Sequence, residues 1–177
     1  MKKIFILFVV FISLGFLTIR YAGAEDITVT MNLVTPQGVG KEIGTVTLSD
    51  SPYGLILQPH LKGLQPGIHG FHVHQNPDCG PAKEGGKMVP GLAAGGHFDP
   101  GNTGRHEGPY GNGHLGDLPV LIVDRNGEAT LPILAPRLKT SDVRGHSLMI
   151  HAGGDNYSDK PKKLGGGGAR VACGAIR

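Results

Sequence analysis

The sequence predicts an all-β fold, a sandwich or barrel of about eight strands, on three observations. Apolar and polar residues alternate over short runs, the signature of a half-buried strand. Turn-forming residues separate those runs at short intervals, and no segment sustains the period of a helix.

Each element follows from its own residues. Ile27, Val29, Met31 and Leu33 share one strand face, with Thr28, Thr30 and Asn32 opposite. Thr35-Pro36-Gln37-Gly38 turns the chain toward a second strand over 43–48. Asp50-Ser51-Pro52-Tyr53-Gly54 turns it into a third over 55–61, and Gln65-Pro66-Gly67 leads to a fourth over 68–75. Strands over 118–124 and 128–134 flank Arg125-Asn126-Gly127, a hairpin signal because Asn-Gly tolerates positive φ. Residues 146–152 and 169–176 complete the set, and 139–144 have room for a single helical turn.

Two stretches interrupt the alternation. Residues 76–117 show no convincing strand and carry 12 of the chain's 30 glycines. Residues 153–168 end in four successive glycines. Loops this long in a compact domain are functional or disordered. Three histidines, Asp117 and Cys79 in the first argue for a stapled functional loop.

The start of the chain reads as a targeting segment. Met1-Lys2-Lys3 is basic, residues 4–17 are apolar, and Ala22-Gly23-Ala24 offers a small-x-small cleavage pattern. The apolar run is short for a membrane span of ~20 residues. No cysteine follows it that could take a lipid anchor. The sequence therefore predicts a signal peptide over 1–24, cleaved after Ala24, a single mature domain over 25–177, and a periplasmic location without stable membrane association after cleavage. The chain holds 17 basic and 14 acidic residues, but Lys2, Lys3 and Arg20 fall in the leader. The mature chain is formally neutral, which leaves no electrostatic footprint for nucleic acid. Cys79 and Cys173 enter an oxidising compartment, where pairing is the default. Their separation resembles no zinc motif, which speaks against a ligating thiol pair.

The chemistry lies in an ordered series of ligand-type residues: His72, His74, His97, His106, His114, Asp117 and His151. His72-Val73-His74 on a strand sends both imidazoles to one face. Imidazole suits copper and zinc, and a carboxylate among imidazoles suits zinc, so the series reads as a two-metal site. Three further histidines fall outside it. His69 lies an odd number of residues from His72, on the opposite face, and reads as a hydrogen-bonded structural residue. His60 and His146 read as surface or core residues.

Four motifs then carry a resemblance. Gly70-Phe71-His72-Val73-His74, Gly95-Gly96-His97-Phe98-Asp99-Pro100, Gly113-His114-Leu115-Gly116-Asp117 and Gly168-Ala169-Arg170-Val171-Ala172-Cys173-Gly174 occur in order. Together they resemble the copper,zinc superoxide dismutase family, and the leader, the glycines at 165–168 and His151-Ala152-Gly153-Gly154-Asp155-Asn156 resemble its bacterial periplasmic branch.

The resemblance implies an eight-stranded Greek-key β-barrel with two long functional loops, and a disulfide between Cys79 and Cys173. It implies one copper on His72, His74, His97 and His151, and one zinc on His97, His106, His114 and Asp117. His97 would bridge the two as imidazolate and take up a proton during the cycle. Superoxide would be the substrate, with dioxygen and hydrogen peroxide as products. Asp155 would be the carboxylate joining a copper-site to a zinc-site histidine, and such partners fix tautomer and ring direction. Arg170, otherwise an ordinary surface charge, matches the family's active-site arginine. Lys83, Lys87, Lys160, Lys162 and Lys163 border the loops and could steer an anion, although most read as solubilising charge. Monomer and homodimer both fit the sequence.

Two rival readings weigh less. A dinuclear zinc hydrolase normally bridges its metals with carboxylate or hydroxide. Here Asp117 is the only carboxylate in the series. A non-enzymatic metal buffer or copper-delivery domain on the same fold would be expected to lack a copper ligand or Arg170, and neither is missing.

Overall fold

The computed structural model describes residues 25–177, so the predicted leader lies outside the described residues. Twelve strands form, most of them short: β1 Ile27–Thr35, β2 Gly38–Ser51, β3 Gly54–Lys62, β4 Gly67–His69, β5 Phe71–His74, β6 Ala82–Glu84, β7 Lys87–Val89, β8 Leu121–Val123, β9 Glu128–Ala129, β10 Ile133–Ala135, β11 Ser147–His151 and β12 Arg170–Ala175. A helical turn, α1 Thr140–Val143, falls where the sequence has room for one.

The main antiparallel sheet runs β10-β3-β2-β1-β12-β11-β5, with β9 also paired to β3. Its far edges are joined through a second pair, β4 with β8, because β4 runs into β5 and β8 turns into β9. At that turn Asp124 N–H donates to Glu128 O at 2.8 Å and Gly127 takes a positive φ, as the hairpin signal requires. After β3 the chain crosses to the opposite edge beside β11, then returns at β9 and β10 to pair with β3. That connectivity is the predicted Greek key. Met31, Leu48, Leu55, Leu57, Phe71, Leu121, Leu148 and Ile150 fill the interior.

Four predicted strands differ in detail. The run 68–75 breaks at Gly70 into β4 and β5, and a Cβ at Gly70 would press on the His72 ring and His151. The run 128–134 breaks into β9 and β10, and the run 118–124 is a strand only at Leu121–Val123. In β1 the register shifts at Asn32, so Val34 is buried and Leu33 only half-buried. A bulge reverses the parity on which the strand face was read. Residues 76–117 are not strandless either, since β6 and β7 form a small hairpin and Leu92–Ala94 a 3-10 turn.

Candidate metal centre

The centre is built on β5 and β11, which pair in register, with Met149 opposite His72 and Ser147 opposite His74. Bridges from β5 then stitch in both ends of the histidine-bearing part of the long loop. Phe98 N–H donates to Val73 O at 2.8 Å, Val73 N–H to Gly116 O at 2.8 Å, and Gly116 N–H to Phe98 O at 2.8 Å. His97 and Asp117 are thereby carried to His74 and His72, which they face across isolated β-bridges. His106 and His114 lie on the intervening stretch, linked to each other by a His114 N–H bond to Arg105 O at 2.9 Å.

Two donor groups result. His72, His74, His97 and His151 bring four ligand atoms within 4.8 Å of one another, all on buried residues. A second buried group does the same with His72, His97, His106 and Asp117. His114 stands at the edge of that group, with Nδ1 3.4 Å from Asp117 Oδ1. Thus three imidazole nitrogens converge on Asp117 Oδ1: His97 Nδ1 at 2.9 Å, His106 Nδ1 at 3.0 Å and His114 Nδ1 at 3.4 Å. Four ligands around a tetrahedral zinc at about 2.0–2.1 Å lie about 3.3 Å apart, so this donor set fits one ion.

Hydrogen bonds fix which nitrogen of each ring is free. His74 Nδ1 donates to Gly95 O at 2.9 Å and His151 Nδ1 to Gly168 O at 3.1 Å, because a carbonyl can only accept. Their Nε2 atoms are left bare, 3.3 Å apart. Asp155 Oδ2 accepts from His72 Nε2 at 2.8 Å, and Oδ1 accepts from His106 Nε2 at 2.8 Å and from Tyr157 N–H at 2.7 Å. That carboxylate is the predicted link between the two groups. It leaves His72 Nδ1 and His106 Nδ1 without partners. With His97 Nε2 and His114 Nδ1 they are, among the described residues, the buried side-chain polar atoms that lack a hydrogen bond. Unpaired buried donors or acceptors are costly, and four of them aimed into two groups fit metal ligation at each.

The electrostatics of the first donor group agree. Burial holds His72 and His74 well below the ordinary imidazole range, aided by His97 and His151. Burial also lowers His151, to about 4, against the opposing Gly168 carbonyl. Neutral imidazoles are the form that binds metal. Burial pulls His106 down as well, but the carboxylates of Asp117 and Asp155 beside its two ring nitrogens outweigh it and lift it to about 9. Burial would raise Asp117, yet hydrogen bonds to His106 and His97 hold it well below the usual carboxylate range.

Arg170 heads β12, paired across a bulge with His151, and donates to Gly91 O and Gly95 O at 2.7 Å each. Cys79 and Cys173 form a disulfide with Cα atoms 5.6 Å apart, tying the loop to β12. His69 is buried and bonded to His151 O at 2.7 Å and Gln65 O at 2.8 Å, a structural role as expected. His60 is exposed, and His146 donates to Gln75 O at 2.6 Å beside Phe98.

The sequence did not reveal Asp159, Gly165 or Arg137. Asp159 accepts His106 N–H at 3.0 Å and Leu164 N–H at 3.1 Å, joining the two loops. Gly165 has φ +67°, and a Cβ there would collide with the Asp155 carboxylate and crowd His106. A run of four glycines was a visible signal for Gly165; the other two had none.

The comparisons agree with this geometry. The family model described as copper/zinc superoxide dismutase matches residues 42–176. The Cu-Zn superoxide dismutase 1 of Salmonella typhimurium LT2 is 63% identical over 158 residues, covering 88% of this chain and 89% of that one. Among solved structures, Cu/Zn superoxide dismutase from Brucella abortus superposes with a TM-score of 0.85 at 55% identity, over 86% of this chain and 100% of the other. The solution structure of the monomeric copper, zinc enzyme from Salmonella enterica gives 0.78 at 59% identity, with 86% and 100% covered. A Greek-key barrel, two adjoining imidazole-rich donor groups and a matching sequence over most of its length thus lead to one assignment: this chain belongs to the copper/zinc superoxide dismutase family.

Proposed function

We propose that the protein dismutes superoxide, converting two superoxide anions and two protons to dioxygen and hydrogen peroxide. The observation that carries the reading is His97, whose ring lies between the two donor groups with Nδ1 toward Asp117 and Nε2 unpaired. His72, His74, His97 and His151 would hold copper, and His97, His106, His114 and Asp117 would hold zinc. His72 also falls within reach of the second group, but Asp155 occupies its Nε2, leaving one nitrogen for one ion. When bound, copper supplies a one-electron couple that imidazoles serve in both states, and zinc, lacking redox chemistry, supplies a fixed charge.

The chain's own residues do the rest. His97 Nε2 can hold a proton when it is not ligated and release it to the departing peroxide. Asp155 keeps His72 and His106 in the tautomers that leave both Nδ1 atoms free. Arg170, with two of its five N–H groups committed to Gly91 and Gly95, presents a fixed cation to an approaching anion. The reading extends to the chain's biology: export on residues 1–24, cleavage after Ala24, and action of residues 25–177 in the periplasm. The leader pattern and the disulfide support it. Among the described residues no helix is long and apolar enough to cross a membrane.

The test is metal analysis of the mature protein together with superoxide decay rates. One copper and one zinc per chain are expected. His97→Ala should lower affinity for both ions and abolish activity. Full activity in His97→Ala, or a wild type that takes up zinc alone, would defeat the reading.

A further inference from the structure

Arg137 follows β10 at the edge of the barrel, two residues beyond Ala135. Its guanidinium leaves the barrel and meets the loop that carries His106, His114 and Asp117. Nε donates to Pro109 O at 3.0 Å and Nη1 to Gly113 O at 3.3 Å. Nη2 donates to Gly108 O at 3.2 Å and to His114 O at 2.6 Å. All four acceptors belong to buried residues in a stretch without strand pairing. One side chain thus satisfies carbonyls on both sides of the tight turn at 108–114, including that of His114 itself.

We infer that Arg137 is a positioning residue of the zinc site, clamping the 108–114 turn so that His114 is set toward Asp117 before any ion arrives. The inference rests on reading His114 as a zinc ligand. The geometry explains why the loop needs the clamp. His97 and Asp117 are stitched to β5 by backbone bridges, and His106 is held by Asp155 and Asp159. His114 has neither support. Its ring nitrogen Nδ1 has no hydrogen bond, its N–H donates to Arg105 O, and its carbonyl accepts from Arg137 at 2.6 Å and, more weakly, from Asp117 N–H at 3.4 Å. The fork matters as much as the charge. Five N–H groups in one plane can meet carbonyls spread along a turn, whereas a lysine ammonium offers three donors at one point.

The experiment compares wild type with Arg137→Ala, Arg137→Lys and a control, Lys139→Ala, each as the disulfide-bonded mature protein. Zinc affinity is measured by competition with a chelator, copper affinity likewise, and amide exchange over 106–117 in the metal-free protein. Loss of a residue that orients a ligand typically costs about 10–100-fold in metal affinity. Both Arg137 variants should lose zinc affinity on that scale, keep copper affinity within a few-fold, and exchange faster at 108–114 than wild type. Lys139→Ala should match wild type on all three. Zinc affinity in Arg137→Lys equal to wild type would overturn the clamp, as would exchange accelerated uniformly through the barrel rather than in the turn. If the wild type itself took up no zinc, the ligand reading would fall, while the exchange comparison would still decide Arg137.

Discussion

The barrel and the loops hold the same histidines by opposite means. His72, His74 and His151 sit on strands β5 and β11, which pair with each other and carry buried apolar side chains such as Phe71, Val73, Leu148 and Ile150. Their positions follow from register. His106 and His114 sit in a segment with no strand pairing, and side chains do the work that a ladder does elsewhere: Asp155, Asp159, Arg137, and Asp117 accepting the N–H groups of Glu107 and Gly108 at 3.2 Å. Half of the centre is therefore built by folding. The other half is completed by polar clamps and by the ions themselves, since a metal that binds only the ordered loop adds its binding energy to that order.

A core substitution probes the first half and should give the largest effect on stability. Leu57 is fully buried on β3, remote in sequence from every ligand. Leu57→Ala should cost about 2–5 kcal/mol, the usual range for a leucine cavity. Denaturant titration of the metal-free, disulfide-bonded protein reads it. The folded fraction should bind both metals normally, because no clamp is touched. A large drop in zinc affinity alongside an unchanged midpoint would mean that barrel and loops are not separable as argued.

Asp155→Ala probes the second half, with a smaller expected effect. It removes the acceptor for His72 Nε2 and His106 Nε2, and for Tyr157 N–H. Metal affinity should fall by about 10–100-fold, with zinc affected more than copper. The asymmetry follows from the comparison, because His72 keeps its strand while His106 keeps only loop contacts, Asp159 at its backbone and Asp117 Oδ1 3.0 Å from its Nδ1. Chelator competition for each metal measures it, and equal losses for copper and zinc would erase the distinction between the two halves.

What could be read in the sequence divides along the same line. His72-Val73-His74 announced its geometry because strand alternation is local, and β1 followed the same rule until the bulge at Asn32 shifted its register. The donor residues were visible as residue types, and the resemblance sorted them into two sets. The small hairpin of β6 and β7 was missed because its residues, Ala82-Lys83-Glu84 and Lys87-Met88-Val89, are too few and too polar to alternate recognisably. Arg137 and Asp159 were invisible for a different reason. They bond to the backbone of residues far along the chain, and no side-chain pattern marks a residue whose partner is a carbonyl or an amide.

Arg170 carries the smallest expected change in structure and the sharpest test of the boundary between the halves. It begins β12 on the barrel, yet both its bonds go to loop carbonyls, and Gly95 O is shared with His74 Nδ1 at 2.9 Å. In the proposed mechanism its guanidinium would therefore have two separable roles, attracting an anion and fixing the carbonyl that sets the His74 tautomer. Arg170→Lys keeps the charge but cannot reach both carbonyls from one nitrogen as the fork does. It should retain part of the rate, with a small change in the visible copper spectrum reporting the freer His74. Arg170→Glu reverses the charge. Electrostatic focusing raises association rates by about 10–10³-fold, so a loss within that range is expected with both metals still bound. Wild-type rates should fall as salt rises, because screening shortens from about 30 Å at 0.01 M to about 10 Å at 0.1 M. Arg170→Glu should flatten or invert that slope. Pulse radiolysis across ionic strengths separates the roles: parallel slopes for all three proteins would leave Arg170 only its structural bonds to the loop.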